Sequence, residues 1–168
     1  MQIDANEIEE LSAALYVRAL KLLPDDIKQG FQRLVRDETD ATGRAVLGTM
    51  VENIAIAERT KNILCQDTGI PIYNVTLGRN VTLDGASVKD AIRRGCARAT
   101  REAPLRSSVV HPITRKNEQT SCGERVPIVN FDFSDADETV EIIVKPDQTA
   151  IVRNLLWKLY RKAKSLGR

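Results

Sequence analysis

Apolar side chains recur at helical spacing from Asp4 to about Asn62. Ile8, Leu11, Ala14, Leu15, Ala19 and Leu22 return every three or four residues, which places them on one side of a helix. Asp4 followed by Glu7 has the form of a capping box, in which two side chains satisfy amides that the helix leaves unpaired. Leu23-Pro24-Asp25-Asp26 closes this helix and opens a second, since proline in a first turn gives up an amide with no helical acceptor. Phe31, Leu34 and Val35 form the apolar side of the second helix. Val46, Leu47, Met50, Val51, Ile54 and Ala57 form that of a third, from about Asp40 to Thr60. Gly43 and Gly48 weaken the third helix slightly or allow close packing. Nothing in these three helices suggests chemistry.

The period then changes. Ile70 to Leu77 reads as a strand, with Gly78-Arg79-Asn80 as its turn. Ser87 to Glu102 is an amphipathic helix carrying Val88, Ala91, Ile92, Gly95, Cys96 and Ala99 on one face. Val126 to Phe133 alternates, Ser134 to Glu138 is a polar turn, and Val140 to Val144 is a further strand, so these two strands are expected to pair as a hairpin. Near the end, Ile151, Val152, Leu155, Leu156, Leu159, Tyr160 and Ala163 share one helical face with basic residues opposite. The pattern predicts an α+β fold: an N-terminal helical region, a small mixed β-sheet with packed helices, and a C-terminal amphipathic helix. Residues 1–150 form the domain and residues 151–168 the basic helix, docked on the sheet or, as the next reading, pairing with a second copy. A membrane-surface or calmodulin-type role for that helix is the third.

Length and composition narrow the classes. At 168 residues the chain suits one domain with a real core, and no apolar run is long enough to span a membrane. With 25 basic and 23 acidic side chains, it has no bulk affinity for nucleic acid. The balance is uneven: residues 151–168 carry six basic side chains and no acidic one, so the net charge of +2 leaves the preceding body at −4. The N-terminus lacks the basic-then-apolar pattern of a secretory signal. Three widely spaced cysteines, Cys65, Cys96 and Cys122, argue against a disulfide scaffold and for a reducing compartment, and the expected location is cytoplasmic.

Chemistry concentrates in Cys65-Gln66-Asp67-Thr68-Gly69, a polar pentad between apolar runs. It reads as a tight turn entering a buried strand, where polar groups must be paired or used. On local chemistry alone, a self-capped turn with Cys65 as a small core residue is a slightly better reading than a functional one. The long polar connection from Pro104 to Gly123 is of the kind that more often carries function than not. In it, Arg106 is either a carboxylate clamp or a solvated charge, and His111, the only histidine, is a weak general-base candidate. Cys96, within a helix stripe, reads as core filling.

Three segments together carry a resemblance: Cys65-Gln66-Asp67-Thr68-Gly69-Ile70-Pro71-Ile72, Ala103-Pro104-Leu105-Arg106-Ser107-Ser108-Val109-Val110-His111-Pro112 and Thr114-Arg115-Lys116-Asn117. In this order the chain, over about residues 5–146, resembles the alpha subunit or N-terminal catalytic half of the iron–sulfur hydro-lyases, which include class I fumarase and L-tartrate dehydratase. The resemblance implies a 4Fe–4S cluster held by three cysteines, with one open iron acting as a Lewis acid on a hydroxyl leaving group. It implies Cys65 as the first cluster ligand and Asp67 as the acid/base group. Gln66 and Arg106 would bind a dicarboxylate or hydroxydicarboxylate substrate, while Thr68 and Gly69 shape the turn. The other two family ligands lie far downstream, not at Cys96 or Cys122. After Ile143-Val144-Lys145-Pro146 the family continues into a glycine-rich segment that this chain replaces with Asp147-Gln148-Thr149-Ala150. The expected function is therefore part of a fumarate hydratase, with tartrate dehydration as the close rival, completed by a beta-type subunit or within a homo-oligomer. The alternative from another class is a shortened, non-catalytic paralogue that binds itself or a partner.

Overall fold

The computed structural model describes residues 4–65, 68–103, 105–147 and 157–162. Three helices lead: α1 (Ala5–Lys21), α2 (Asp25–Asp37) and α3 (Ala41–Thr60). Then come β1 (Ile70–Leu77), α4 (Gly85–Glu102), β2 (Ile128–Phe133), β3 (Thr139–Asp147) and β4 (Trp157–Lys162). Carboxylates start three of the four helices. Asp4 accepts from the Asn6 amide at 2.9 Å, Asp40 from the Gly43 amide at 2.7 Å and Asp84 from the Ala86 amide at 3.0 Å. Each satisfies an amide that the first turn leaves without an acceptor.

The fold is α+β, with α1 and α4 packed together and against the sheet. Along β1 the side chains alternate, and Pro71, Tyr73, Val75 and Leu77 are buried. Tyr73, Val75 and Leu77 meet Leu15, Tyr16 and Leu20 of α1, Val88, Ile92 and Cys96 of α4, and Ile142 and Val144 of β3 in one core. The buried side of α1 centres on Ser12, Leu15, Tyr16 and Ala19, so the observed face is rotated from the expected stripe, and Ala14 is exposed. Gly95 sets the helix–helix distance: a Cβ there would run into the Glu9 carbonyl oxygen, with Ser12 Cβ 3.0 Å away. At the rim, Arg94 pairs with Glu9 and Arg98 with Glu10, each at 2.6 Å.

The strand order is β2-β1-β3-β4. Strand β1 pairs in parallel with β2 (Ile72 opposite Ile128, Leu77 opposite Phe133) and antiparallel with β3 (Leu77 opposite Val140). The expected β2–β3 hairpin is therefore corrected: the two strands flank β1 and do not pair. Residues 134–138 pass over the end of β1. The Ser134 amide donates to the Leu77 carbonyl, Gly78 to Thr139 and Arg79 to Ala136, each at 2.8 Å. Five residues reach across two strand spacings of about 4.8 Å. Gly78 is needed beneath them, because a Cβ would strike the Asp137 carbonyl oxygen and sit 2.9 Å from Thr139 Oγ1.

A second correction concerns the closing segment. The central part of the expected C-terminal amphipathic helix, Trp157–Lys162, is instead strand β4, antiparallel to β3 with Val144 opposite Trp157. The rest of that expected helix lies outside the described residues. Trp157 and Leu159, two apart, serve a strand's period as readily as a helix's, and the edge of β3 supplies backbone partners. Helices α2 and α3 pack on each other and bury little. Helix α2 has no buried residue and α3 only Ala57, so the predicted stripe is mostly half-buried and Val46 is exposed. Lys28 of α2 meets Glu58 of α3 at 2.7 Å.

Glycine substitutions test this packing. Gly95→Ala is expected to destabilise the protein by about 1–3 kcal/mol through overpacking. Gly48→Ala, with nothing within 4 Å of the new Cβ, should stabilise α3 by up to about 1 kcal/mol. Urea unfolding midpoints check both, and shifts of the same sign would contradict the α1–α4 contact described.

Candidate functional site

The polar turn lies where the pattern places it, at the N-terminal end of β1. Helix α3 ends at Lys61 in a left-handed conformation (φ 57°). The following chain is tied down by the Leu64 amide, which donates to the Leu20 carbonyl at 3.0 Å, and by Asn53 Nδ2, which donates to the Leu64 carbonyl at 3.1 Å. Cys65 is a free, exposed thiol. Gln66 and Asp67 lie outside the described residues. Thr68 is fully buried, and its hydroxyl donates to the backbone carbonyl of Arg106. Gly69 then takes φ 64°, a conformation that glycine adopts without steric cost.

The Thr68–Arg106 bond joins two segments that lie 38 residues apart in sequence. Arg106 is exposed, while its neighbours Leu105 and Ser107 are buried and anchor the strip on which the guanidinium stands. The connection beyond it is ordered by buried hydroxyl and amide groups. Ser107 Oγ accepts from the Ser121 amide at 3.0 Å, and Asn117 Nδ2 donates to the Ser107 carbonyl at 2.8 Å. Thr100 on α4 donates to the Cys96 carbonyl at 2.8 Å and shares a hydrogen bond with Ser121 Oγ at 3.0 Å. Ser121 is buried in a left-handed conformation (φ 53°). Thr100, Ser107, Asn117 and Ser121 are the residues that sequence reasoning missed as organisers. Their only signal was a surplus of small hydroxyl and amide side chains in a long connection.

His111 holds a local turn. Its Nδ1 accepts from the amides of Ile113 at 3.3 Å and Thr114 at 3.1 Å, while the Arg115 amide donates to its carbonyl at 2.9 Å. One ring nitrogen is thus committed to the loop itself, which accounts for the histidine without general-base chemistry. Cys96, on the α4 stripe, is fully buried as expected. Cys122 is half-buried beside it, and the Cys122 thiol donates to the Arg93 carbonyl at 3.4 Å. Among the described residues no three His, Cys, Asp or Glu side chains gather as a metal site, and no helix is long and apolar enough to cross a membrane. A groove of about 660 Å³ runs beside α1 and α4, but neither Cys65 nor Arg106 lines it.

Beneath the two segments sits Tyr16, fully buried. Its hydroxyl faces Ser121 and Thr68 without closing a well-formed hydrogen bond. Burial, reinforced by the nearby Cys96, pushes its pKa from 10.0 up to about 12. Burial likewise pushes Tyr73 up, and its hydroxyl donates to the Ser12 carbonyl at 3.2 Å.

Residues 9–147 match the sequence model of the family described as Fumarate hydratase (Fumerase). A putative L(+)-tartrate dehydratase subunit alpha from Methanocaldococcus jannaschii is 35% identical over 142 residues, covering 83% of this chain and 50% of the relative. A putative class I fumarate hydratase from Geobacillus stearothermophilus is 27% identical over 165 residues, 96% of this chain and 32% of that protein. The L(+)-tartrate dehydratase subunit alpha of Escherichia coli K12 is 28% identical over 139 residues, 83% of this chain and 46% of that protein. The chain belongs to the fumarate hydratase family. It spans half or less of the length of these curated relatives.

The buried phenol gives a pH test. Below pH 10 Tyr16 keeps its proton in both folded and unfolded chains, and its contribution is complete. From pH 10 to about 12 the unfolded chain releases a proton that the folded chain holds, so stability falls. The loss from Tyr16 is roughly 3 kcal/mol, with Tyr73 acting in the same direction. Tyr16→Phe should leave stability at pH 7 within about 1 kcal/mol of wild type, since no well-formed hydrogen bond is lost. It should also flatten the alkaline decline in urea midpoints. An unchanged slope in the variant would contradict the assignment.

Proposed function

We propose that this chain supplies the N-terminal, alpha-type part of an iron–sulfur hydro-lyase of the class I fumarase type, which reversibly hydrates fumarate to malate. The observation that carries the reading is the Thr68 hydroxyl bond to the Arg106 carbonyl, because it brings the Cys65 turn and the Arg106 strip to one place. In this reading Arg106 binds a substrate carboxylate through its planar pair of donors. Gln66 donates to the substrate, Asp67 exchanges the proton and Cys65 is a metal-binding thiolate. The location is cytoplasmic, and a beta-type subunit or a second copy completes the enzyme.

The implied 4Fe–4S cluster needs three thiolates, and the described residues do not form that set. Cys65 is exposed at the turn, whereas Cys96 and Cys122 lie beside each other between α4 and the long connection. Among the described residues, one thiol, that of Cys65, is therefore available to such a cluster. L(+)-tartrate dehydration is the second reading, favoured by the greater identity to relatives bearing that name (35% and 28%, against 27%).

Two measurements test the proposal. Equilibrium binding of L-malate, fumarate and L(+)-tartrate to the full chain should show which dicarboxylate is preferred, and Arg106→Ala should weaken it roughly 10- to 100-fold. Anaerobic iron and sulfide reconstitution should colour the chain only when it is co-expressed with the portion of the Methanocaldococcus relative that the match leaves uncovered. Cys65→Ala should abolish that colour. Undiminished dicarboxylate binding by Arg106→Ala, or full iron content in Cys65→Ala, would overturn the assignment.

A further inference from the structure

Two of the three cysteines have no part in the proposed chemistry, and the structure places them against each other. Cys96 stands on α4 and Cys122 in the connection that crosses it. The Cys96 sulfur lies 3.9 Å from the carbonyl oxygen of Ser121, the residue before Cys122. The Cys122 sulfur lies 3.4 Å from the carbonyl oxygen of Arg93, about one helical turn before Cys96. Each thiol thus reaches the backbone of the other's segment, which sets the two side chains next to each other. Arg93 closes the arrangement, its Nη1 donating to the carbonyls of Gly123 at 2.8 Å and Val126 at 2.9 Å. Core filling alone explains Cys96 as a small apolar side chain, but it does not explain a second thiol with a guanidinium beside it.

We infer that Cys96 and Cys122 form a dithiol site that closes reversibly to an intrachain disulfide, with a peroxide or a small-molecule disulfide as the oxidant. Cys122 is the attacking sulfur. It is the more accessible of the two, and the Cys96 S–H together with the Arg93 and Arg101 guanidiniums favours its thiolate. Cys96, buried and beside that sulfur, keeps its proton longer. With hydrogen peroxide, the Cys122 thiolate attacks one oxygen and forms a sulfenic acid, and the released hydroxide takes a proton to become water. The Cys96 thiol then attacks the sulfenic sulfur and releases a second water. Two electrons leave the two sulfurs, and peroxide is reduced to two waters. With oxidised glutathione, Cys122 displaces one glutathione thiolate and Cys96 the second. The product fastens the connection bearing Arg106 and Ser121 to α4, and a dithiol reductant reverses it. None of this depends on the hydro-lyase reading.

Peptide mapping tests it on the full chain. Tryptic cleavage after Arg98, Arg101, Arg106, Arg115 and Lys116 separates the two cysteines. After treatment of the reduced, folded protein with hydrogen peroxide or oxidised glutathione, a non-reducing map should show the Cys96 and Cys122 peptides joined and lighter by two hydrogens. Dithiothreitol should separate them again. The thermal midpoint should rise on oxidation in wild type and in Cys65→Ser, but not in Cys122→Ser, which retains the buried Cys96. The inference fails if Cys122 stops at sulfenic or sulfinic acid with Cys96 still reduced. It also fails if Cys65 replaces either partner in the link, or if Cys65 alone reacts. A link that forms without a rise in the midpoint would overturn the fastening of the connection.

Discussion

Helix α4 lies so close to α1 that position 95 has no room for a side chain, and the rest of the structure depends on that contact. Gly95 lets the Glu9 carbonyl and Ser12 approach the α4 backbone, which sets the depth at which Ile92, Cys96 and Ala99 enter the core. A glycine within a helix costs about 1 kcal/mol relative to alanine. The burial of Tyr16, Tyr73, Leu15, Ile92 and Val144 in one cluster is the larger, opposing term, since each large apolar side chain contributes roughly 1.5–3 kcal/mol. The same closeness presents Cys96 and Thr100 to the polar connection that crosses α4.

That connection keeps its shape although it has few regular backbone pairings. Buried carbonyls and amides outside helices and strands must find partners, and here side chains provide them. Ser107 receives the Ser121 amide, Asn117 caps the Ser107 carbonyl, Thr100 bonds Ser121, and Thr68 takes the Arg106 carbonyl. Anchored on both sides by buried Leu105 and Ser107, Arg106 has its backbone fixed while its guanidinium stays in solvent. A charged group presented this way has already lost part of the freedom that binding a carboxylate would cost.

The elements whose apolar pattern answers to a single core were legible in the sequence. The spans of α1, α3, β1 and α4 agree with expectation to within a few residues, because apolar periodicity marks each of them and the Asp4 capping box marks the first start. The pairing of β2 was not legible. Its alternation says that it is a strand, but the choice of partner rests on β1 taking the centre, and nothing within residues 126–144 encodes that. Trp157–Lys162 failed for a different reason, since six residues hold too few apolar positions to separate a period of two from one of 3.6. The Cys65 turn and Arg106 were found as motifs. The hydroxyl that joins them was not, because a threonine in a turn is most often satisfied within the turn itself.

Environment, rather than residue type, distinguishes the three cysteines. In the sequence Cys65 stands out by its polar pentad and Cys96 by its place in a helix stripe. In the structure Cys65 stands exposed on a turn whose backbone is held by Leu20 and Asn53. Cys96 and Cys122 meet where α4 and the connection cross, each within reach of the other's backbone, and so are already engaged. Each of these thiols would have to break its carbonyl contact, and Cys96 would have to leave the core, before it could join Cys65 at a cluster. Burial and those carbonyl contacts set the Cys96–Cys122 pair apart from the exposed Cys65.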